Sequence, residues 1–243
     1  MQVELLPNIN DPSLVKMPYW SKLNQHLDGS PYSCIHRAHS NTKGKILFAD
    51  YHYHNLNQVY VPKVTKRENE TPTWALAEMY SITTNLYSAL DSLAFEINLL
   101  YSFQLNIREV QIFHNTAEQQ HILFKNNNCV RCRLGKQSGD ALSKFLEHEL
   151  IQDWFLNLKD TRVQMVHREQ PIYLAHLSVG DHEFPDEATV LLLPNQPCNK
   201  APKWSDYSKQ YDFNTYSQEL RINVVSLIEQ AYKILEPKVL ALT

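Results

Sequence analysis

The chain has 243 residues, of which 43% are hydrophobic and 20% charged, with a formal net charge of −3 at pH 7. This composition is that of a globular protein with a sizeable core, and it excludes a disordered or fibrous chain. The negative net charge argues against a protein that coats nucleic acid, and no run approaches the roughly 20 apolar residues of a membrane-spanning helix.

The first residues of the sequence indicate where in the cell the protein is expected, and the cysteines indicate whether it is expected to bind a metal. The first residues lack the basic-then-apolar layout of a signal peptide, so we expect a cytoplasmic protein. Cys129 and Cys132 form a C-x-x-C with no second close pair of ligands. We therefore expect two reduced thiols, no metal and no cofactor; a zinc site that also uses nearby histidines stays the alternative.

The first 70 residues are predicted to be an N-terminal extension. A short helix is expected from about Pro12 to Leu27, and alternation over 45–53 and 58–64 predicts a β-hairpin. That hairpin would place His52 and His54 on one face of a strand, where we interpret them as surface residues. A polar linker is expected over 66–72.

A long helix is predicted over 74–103, because apolar residues recur there in steps of three and four. Its second stripe is almost uncharged, and no Lys or Arg occurs between Arg67 and Arg108. The members of that stripe are Ser81, Thr84, Ser88, Asp91, Phe95, Asn98 and Ser102. A solvent face normally carries charge, so we expect this helix to be covered on two sides, in a bundle or at a subunit contact.

The remaining elements complete a mainly α fold. A second long helix is predicted from Asp140, in a plausible N-cap region, to Arg168, before Pro171. Short strands are expected over 172–178 and 188–193, and a third helix over 214–235. The sequence thus predicts a helical bundle over 71–243, with small β-hairpin additions and a β/loop insertion at about 172–213.

The candidate chemistry lies near the end of the second long helix, at Arg162 and His167. The helix dipole favours the charged form of His167, while Arg162 and Arg168 oppose it, which suits a general acid or base near neutral pH. Arg162 is a fixed cation able to bind a phosphate through two hydrogen bonds. Residues five apart on a helix are about 140° apart around its axis, so one chain supplies a half-site. The alternative is that both residues flank a buried stripe, with His167 capping terminal carbonyls.

An R-x4-H at the end of a bundle helix, preceded by a long low-charge helix with acidic residues, resembles the HEPN superfamily. The segments that carry the resemblance are Ser88 to Phe103 and Phe155 to Pro171. It implies a homodimer with a composite site and a metal-independent endoribonuclease, in a toxin or antiviral defence role, with an antitoxin or defence partner. Arg162 would stabilise the phosphate charge, and His167 would act as general acid and base during attack by the ribose 2′-hydroxyl. Val163 and Glu169 depart from the pattern of some active members.

Further residues are candidates for supporting roles. Asp91 and Asn98 match polar positions that orient the motif in the HEPN resemblance, and the alternative is a buried polar pair; Glu96 receives lower weight. Arg131, Arg133 and Lys136 form a short basic run that would guide RNA phosphates, or else a solvated loop. The rival to the nuclease is a catalytically inactive HEPN-like module that binds a partner protein or a nucleotide, which Val163 and the negative charge favour.

Overall fold

A computed structural model describes residues 16–28, 33–60, 71–105, 110, 130–136, 139–167, 173–177, 188–193 and 209–241, which are mainly helical. The helices are α1 (Pro18–Leu27), α2 (Ser33–Asn55) continued by a π-helical turn (Leu56–Tyr60), α3 (Thr71–Leu100), α4 (Val130–Leu134), α5 (Ala141–Glu149), α6 (Asp153–His167) and α7 (Phe213–Leu240). Across these described ranges, no helix is both long enough and apolar enough to cross a membrane.

Helix α3 lies at the centre of the described bundle and packs against α2, α6 and α7. Its apolar face is fully buried, with Met79, Ile82, Leu86, Leu90, Leu93 and Ile97 at 0% exposure. Two contacts show that α2 runs antiparallel to α3. His39, early in α2, contacts Glu96 near the end of α3, whereas His52, near the end of α2, contacts Glu78 near the start of α3. Glu96 also contacts Tyr232 on α7. The almost uncharged second stripe of α3 is half-buried at four of its positions, Ser81, Thr84, Ser88 and Asp91. The described elements therefore surround α3 without fully enclosing it.

The β-hairpin predicted over 45–53 and 58–64 is wrong, because residues 33–60 are helical. The inward face of α2 mixes apolar residues with buried His39, Thr42 and Asp50. Those polar side chains are buried because they have partners on α3 and α7. They interrupt the apolar repeat in the sequence, so the repeat does not predict a helix here. Residues 61–64 and most of the expected linker lie outside the described part of the chain.

The single helix predicted over 140–168 is also wrong, because α5 and α6 are separate helices. Gln152 forms the junction: its side chain donates to the carbonyl of His148 at 3.1 Å, and its own carbonyl accepts from the backbone N–H of Phe155 at 3.0 Å. Asp153 then begins α6, and its carboxylate stabilises the helix by interacting with the positive end of the helix dipole.

Asp140 caps α5, as its position suggested. Its Oδ1 accepts from the backbone N–H of Ser143 at 2.9 Å, and its Oδ2 accepts from the Tyr101 hydroxyl at 2.9 Å. Asp140→Ala is therefore expected to lower the free energy of unfolding by about 1–2 kcal/mol, measured by urea denaturation. Asp140→Asn keeps an acceptor for Ser143, so a loss as large as that of the alanine variant would contradict the capping role.

Three antiparallel strands form a small sheet in the order β1 (Tyr173–Leu177), β2 (Ala188–Leu193) and β3 (Lys209–Asp212). In the register, Tyr173 is opposite Leu192 and Leu191 is opposite Tyr211. The first two strands fall within the ranges predicted from the sequence, and β3 was not predicted. Because β3 leads directly into α7, the sheet lies beside the start of that helix.

Helix α1 is capped by a residue far away in the sequence. Met17 at the N-cap position supplies no side-chain hydrogen bond. Instead, Glu229 on α7 accepts from the backbone N–H of Tyr19 at 2.8 Å and of Trp20 at 3.0 Å. Lys22 also pairs with Glu236 on α7. The two free N–H groups of α1 are thus satisfied by the last helix.

Glu229 should give stability a specific pH dependence. Burial raises its pKa, and the N–H groups of Tyr19 and Trp20 oppose this less strongly. The folded protein therefore holds this proton more tightly than the unfolded chain, so its stabilising contribution is complete below the ordinary glutamate pKa of about 4.3 and is lost as pH rises through the raised value.

The expected result is a wild-type free energy of unfolding that falls relative to that of Glu229→Gln between about pH 4 and about pH 7. Urea denaturation at a series of pH values measures this difference. A wild type that instead gains stability over Glu229→Gln as pH rises would contradict the raised pKa.

Candidate active site

Arg162 is held between α6 and α3. Its guanidinium carbon lies 4.6 Å from the centroid of the Tyr87 ring, and its side chain is half-buried. Tyr87 is 5% exposed and stacks on Phe155 with ring centroids 6.4 Å apart. Nε of Arg162 is buried and has no hydrogen-bond partner within the described residues. The position of the guanidinium is therefore fixed by a cation–π contact with a core tyrosine.

A second contact fixes α6 itself. The hydroxyl groups of Thr161 and Tyr216 are 2.8 Å apart, and both residues are buried. Tyr216 lies in the first turn of α7, so α6 is attached to α7 one residue before Arg162. The backbone that carries the candidate arginine is thus anchored on two sides.

The charges of Asp91 and Arg162 both act on the pKa of Tyr87. Burial raises the pKa of Tyr87 well above its ordinary value; Asp91 raises it further, and Arg162 lowers it. Both charges thus act on one phenol, which stays protonated at neutral pH. The supporting role beside Arg162 that the sequence suggested for Asp91 stays a prediction.

His167 is the last residue of α6, as expected for the motif. Its side chain, like Arg168 as a whole, lies outside what the structure describes. Five residues of helix correspond to about 7.5 Å of rise and about 140° of rotation. The backbone geometry therefore keeps Arg162 and His167 off a common face of α6.

Asn98 serves the end of α3. It is 5% exposed, its Oδ1 accepts from the backbone N–H of Leu105 at 3.0 Å, and its Nδ2 donates to the Leu105 carbonyl at 3.5 Å. The chain turns here through Ser102 and Gln104, whose φ angles are 52° and 58°. Asn98 lies eleven residues beyond Tyr87, about 16 Å along the helix, so its amide stabilises this turn rather than the surroundings of Arg162.

The predicted basic run lies on and after α4. Arg133 is half-buried, and Lys136 is exposed in the turn that follows. The side chain of Arg131, together with Cys129 and the side chain of Cys132, is outside the described part. In the ranges that the structure covers, no three His, Cys, Asp or Glu residues come together in a group able to hold a metal ion.

Glu96, given low weight from the sequence, is bonded to three other buried side chains. Its Oε1 accepts from the Tyr232 hydroxyl at 2.8 Å and from the Thr42 hydroxyl at 2.5 Å. Its Oε2 lies 2.9 Å from Nδ1 of His39. All four residues are at most 2% exposed. The spacing of Glu96 from Leu93, on the buried face of α3, was the signal that could have identified it.

The bonding around His39 fixes the number of protons in this cluster. Nε2 lies 2.9 Å from the Trp20 carbonyl, which can only accept, so Nε2 carries a hydrogen. A second proton must lie between Nδ1 and Glu96, on either atom. The pair is therefore neutral overall, which explains how a carboxyl and an imidazole are accommodated in the core. With no solvent access, the cluster stabilises the fold and does not bind substrate.

A further polar group links α2 to its neighbours at the other end of the bundle. Nε of Arg221 lies 2.6 Å from Oδ1 of Asp50, and the Arg221 guanidinium carbon is 4.4 Å from the Tyr53 ring centroid. On the α3 side, Nδ1 of His52 is 2.6 Å from Oε2 of Glu78. The histidines that the sequence placed on a strand are thus on a helix, and His52 is oriented by a carboxylate.

Comparison with protein-family models, with curated proteins and with solved structures finds no match to this chain. The class that the fold itself defines is a mainly helical bundle, built on one central helix, with a small antiparallel sheet beside its last helix.

Proposed function

We propose that the protein is a metal-independent endoribonuclease of the HEPN type, with Arg162 and His167 as its catalytic residues. The observation that carries this proposal is the fixed position of Arg162, which is held on Tyr87 near the C-terminal end of the described part of α6, which reaches His167. A guanidinium fixed in this way stabilises charge that develops on a phosphate, because little reorganisation is needed during reaction. Asp91, whose charge also acts on the pKa of Tyr87, is proposed as a supporting residue.

In the proposed reaction, His167 accepts the proton of the ribose 2′-hydroxyl as that oxygen attacks the adjacent phosphorus. The P–O5′ bond breaks, and the leaving 5′-oxygen takes the proton that His167 removed from the 2′-hydroxyl. The products are a 2′,3′-cyclic phosphate and a 5′-hydroxyl end. This route needs neither a metal nor a cofactor.

The angular separation of the two residues gives the proposal a second requirement. Since they lie about 140° apart on α6, a complete site requires the motifs of two chains in a homodimer. RNA would be the substrate, and a toxin or antiviral defence role, with a neutralising or defence partner, would follow from the HEPN resemblance.

The test is cleavage of RNA in EDTA, with product ends identified by mass. Mixing inactive Arg162→Ala and His167→Ala chains should restore part of the activity, because mixed dimers contain sites with one intact arginine and one intact histidine. Lys233→Ala, which changes an exposed cation on α7, is the matched control. A strict monomer that cleaves, or cleavage that both single variants retain, contradicts the proposal.

One observation favours the alternative of an inactive, partner-binding HEPN-like module. The contact of Arg162 with a core tyrosine is by itself a structural role, since the side chain packs against Tyr87 whether or not phosphate binds. If Arg162→Ala mainly lowers the free energy of unfolding, and no RNA is cleaved by the wild type, the alternative is favoured.

A further inference from the structure

The outward side of α2 carries an unusual combination of residues. Arg37, Lys45, Phe48 and His52 fall within an arc of about 80° around the helix axis and span about 22 Å. We call this set the α2 outer stripe. Phe48 is 55% exposed and Arg37 is exposed, while His52 retains 27% side-chain exposure. Along this helix face, two cations, Arg37 and Lys45, are thus followed by two rings, Phe48 and His52.

The charge on this helix is opposite to that of the chain. The net charge of the whole protein is −3, whereas α2 contains Arg37, Lys43 and Lys45 against a single acid, Asp50. That acid is buried and paired with Arg221 on α7. The α2 outer stripe itself contains no acidic residue, and the Glu78 carboxylate at its end is paired with His52. Arg37 and Lys45 therefore give this face a local attraction for an anionic ligand despite the negative total.

A second exposed aromatic residue extends the surface onto α3. The His52–Glu78 contact places the start of α3 beside the end of the α2 outer stripe. Trp74 lies one turn before Glu78 on the same side of α3 and is 56% exposed. Phe48 and Trp74 thus lie on either side of the His52–Glu78 pair.

We propose that the α2 outer stripe, together with Trp74, is a docking surface for single-stranded RNA. Exposed aromatic rings stack on unpaired bases, and neighbouring cations contact the phosphates of the same strand. His52 is oriented through Nδ1, which leaves Nε2 directed away from Glu78 for a polar contact with RNA. This inference rests on the proposed function, for which it supplies a binding surface separate from Arg162.

Gly44 offers a test that leaves the core untouched. It lies on the same side of α2, and a Cβ added there meets no atom within 4 Å. Gly44→Glu and Gly44→Lys therefore introduce opposite charges at one surface position. Binding is measured by fluorescence anisotropy with a labelled, unstructured, 2′-O-methylated RNA, which cannot be cleaved by 2′-hydroxyl attack; single-stranded DNA of the same sequence is the comparison.

Gly44→Glu is expected to weaken RNA binding and Gly44→Lys to strengthen it, while Gly44→Ala leaves it near the wild-type value. Phe48→Ala and Trp74→Ala are each expected to raise the Kd about 5- to 100-fold, the range for loss of one stacked base. Lys45→Ala should reduce the slope of log Kd against log salt by about 0.7. The matched control is Ile222→Ala, which removes an equally exposed apolar side chain from α7.

The outcomes separate this surface from the nuclease proposal. RNA binding that depends on Phe48 and Trp74, without any cleavage, keeps the surface and overturns the nuclease. Cleavage that depends on Arg162, with RNA binding unchanged in Phe48→Ala and Gly44→Glu, does the reverse. Self-association of the wild type that Phe48→Ala abolishes, with no effect on RNA binding, overturns the surface and assigns this face to contact between copies of the chain.

Discussion

His167→Ala is expected to reduce the rate of RNA cleavage by about 100- to 10,000-fold, the range for loss of a general acid or base. Arg162→Ala should cost about 100- to 1,000-fold, as for removal of one preorganised donor that stabilises transition-state charge. The effects should appear in kcat more than in KM, because both groups act on charge and protons that change during reaction. Single-turnover cleavage in EDTA measures them.

Two conservative variants sharpen this expectation. Arg162→Lys keeps the charge but loses the planar fork, so its rate should fall between those of wild type and Arg162→Ala. Tyr87→Phe keeps the ring beneath the guanidinium and removes only the hydroxyl, so it should retain most of the activity. A Tyr87→Phe variant as inactive as Arg162→Ala would contradict a purely positioning role for this tyrosine.

The largest effect on stability is expected at Glu96. Glu96→Leu leaves His39, Thr42 and Tyr232 without their shared acceptor in a site closed to water. Loss of one partner from such a buried network should lower the free energy of unfolding by about 3–5 kcal/mol, measured by urea denaturation. The control is Glu219→Ala on the exposed side of α7, for which a change within about 0.5 kcal/mol is expected.

Glu96→Gln separates hydrogen bonding from charge in the same network. The glutamine carbonyl can accept from Thr42 and Tyr232, and its amide can donate to Nδ1 of a neutral His39. The contacts of Glu96 with His39, Thr42 and Tyr232 can then all persist, so a loss of only about 1 kcal/mol is expected. A loss as large as that of Glu96→Leu would show that the cluster needs an ionised carboxylate.

The sequence predicted the helices whose buried faces are apolar. The regular spacing from Met79 to Ile97 identified α3, and that from Leu220 to Leu235 identified most of α7. Helix α2 was missed because His39, Thr42 and Asp50 occupy its inward face. Such residues are stable in a core only when paired, and their carboxylate and guanidinium partners on α3 and α7 lie 54 or more positions away. Local patterning cannot show those pairs.

The sequence likewise suggested only some of the residues at the candidate site. Arg162 and His167 were chosen by residue type and by their place near a predicted helix end, and the structure places both on α6. Tyr87, which contacts Arg162, was not identified, because two residues more than 70 positions apart in the sequence give no local signal of their contact. Asn98 was placed correctly on α3, but the backbone turn that uses its amide could not be anticipated from spacing.

The capping of α1 by Glu229 has a consequence for the order in which the protein forms. The chain is synthesised from its N-terminus, so Tyr19 and Trp20 leave the ribosome about 200 residues before their acceptor. A helix of ten residues is marginal in water by itself. Helix α1 therefore acquires its final stability only after α7 has been made, which ties the two ends of the chain into one late, cooperative folding step.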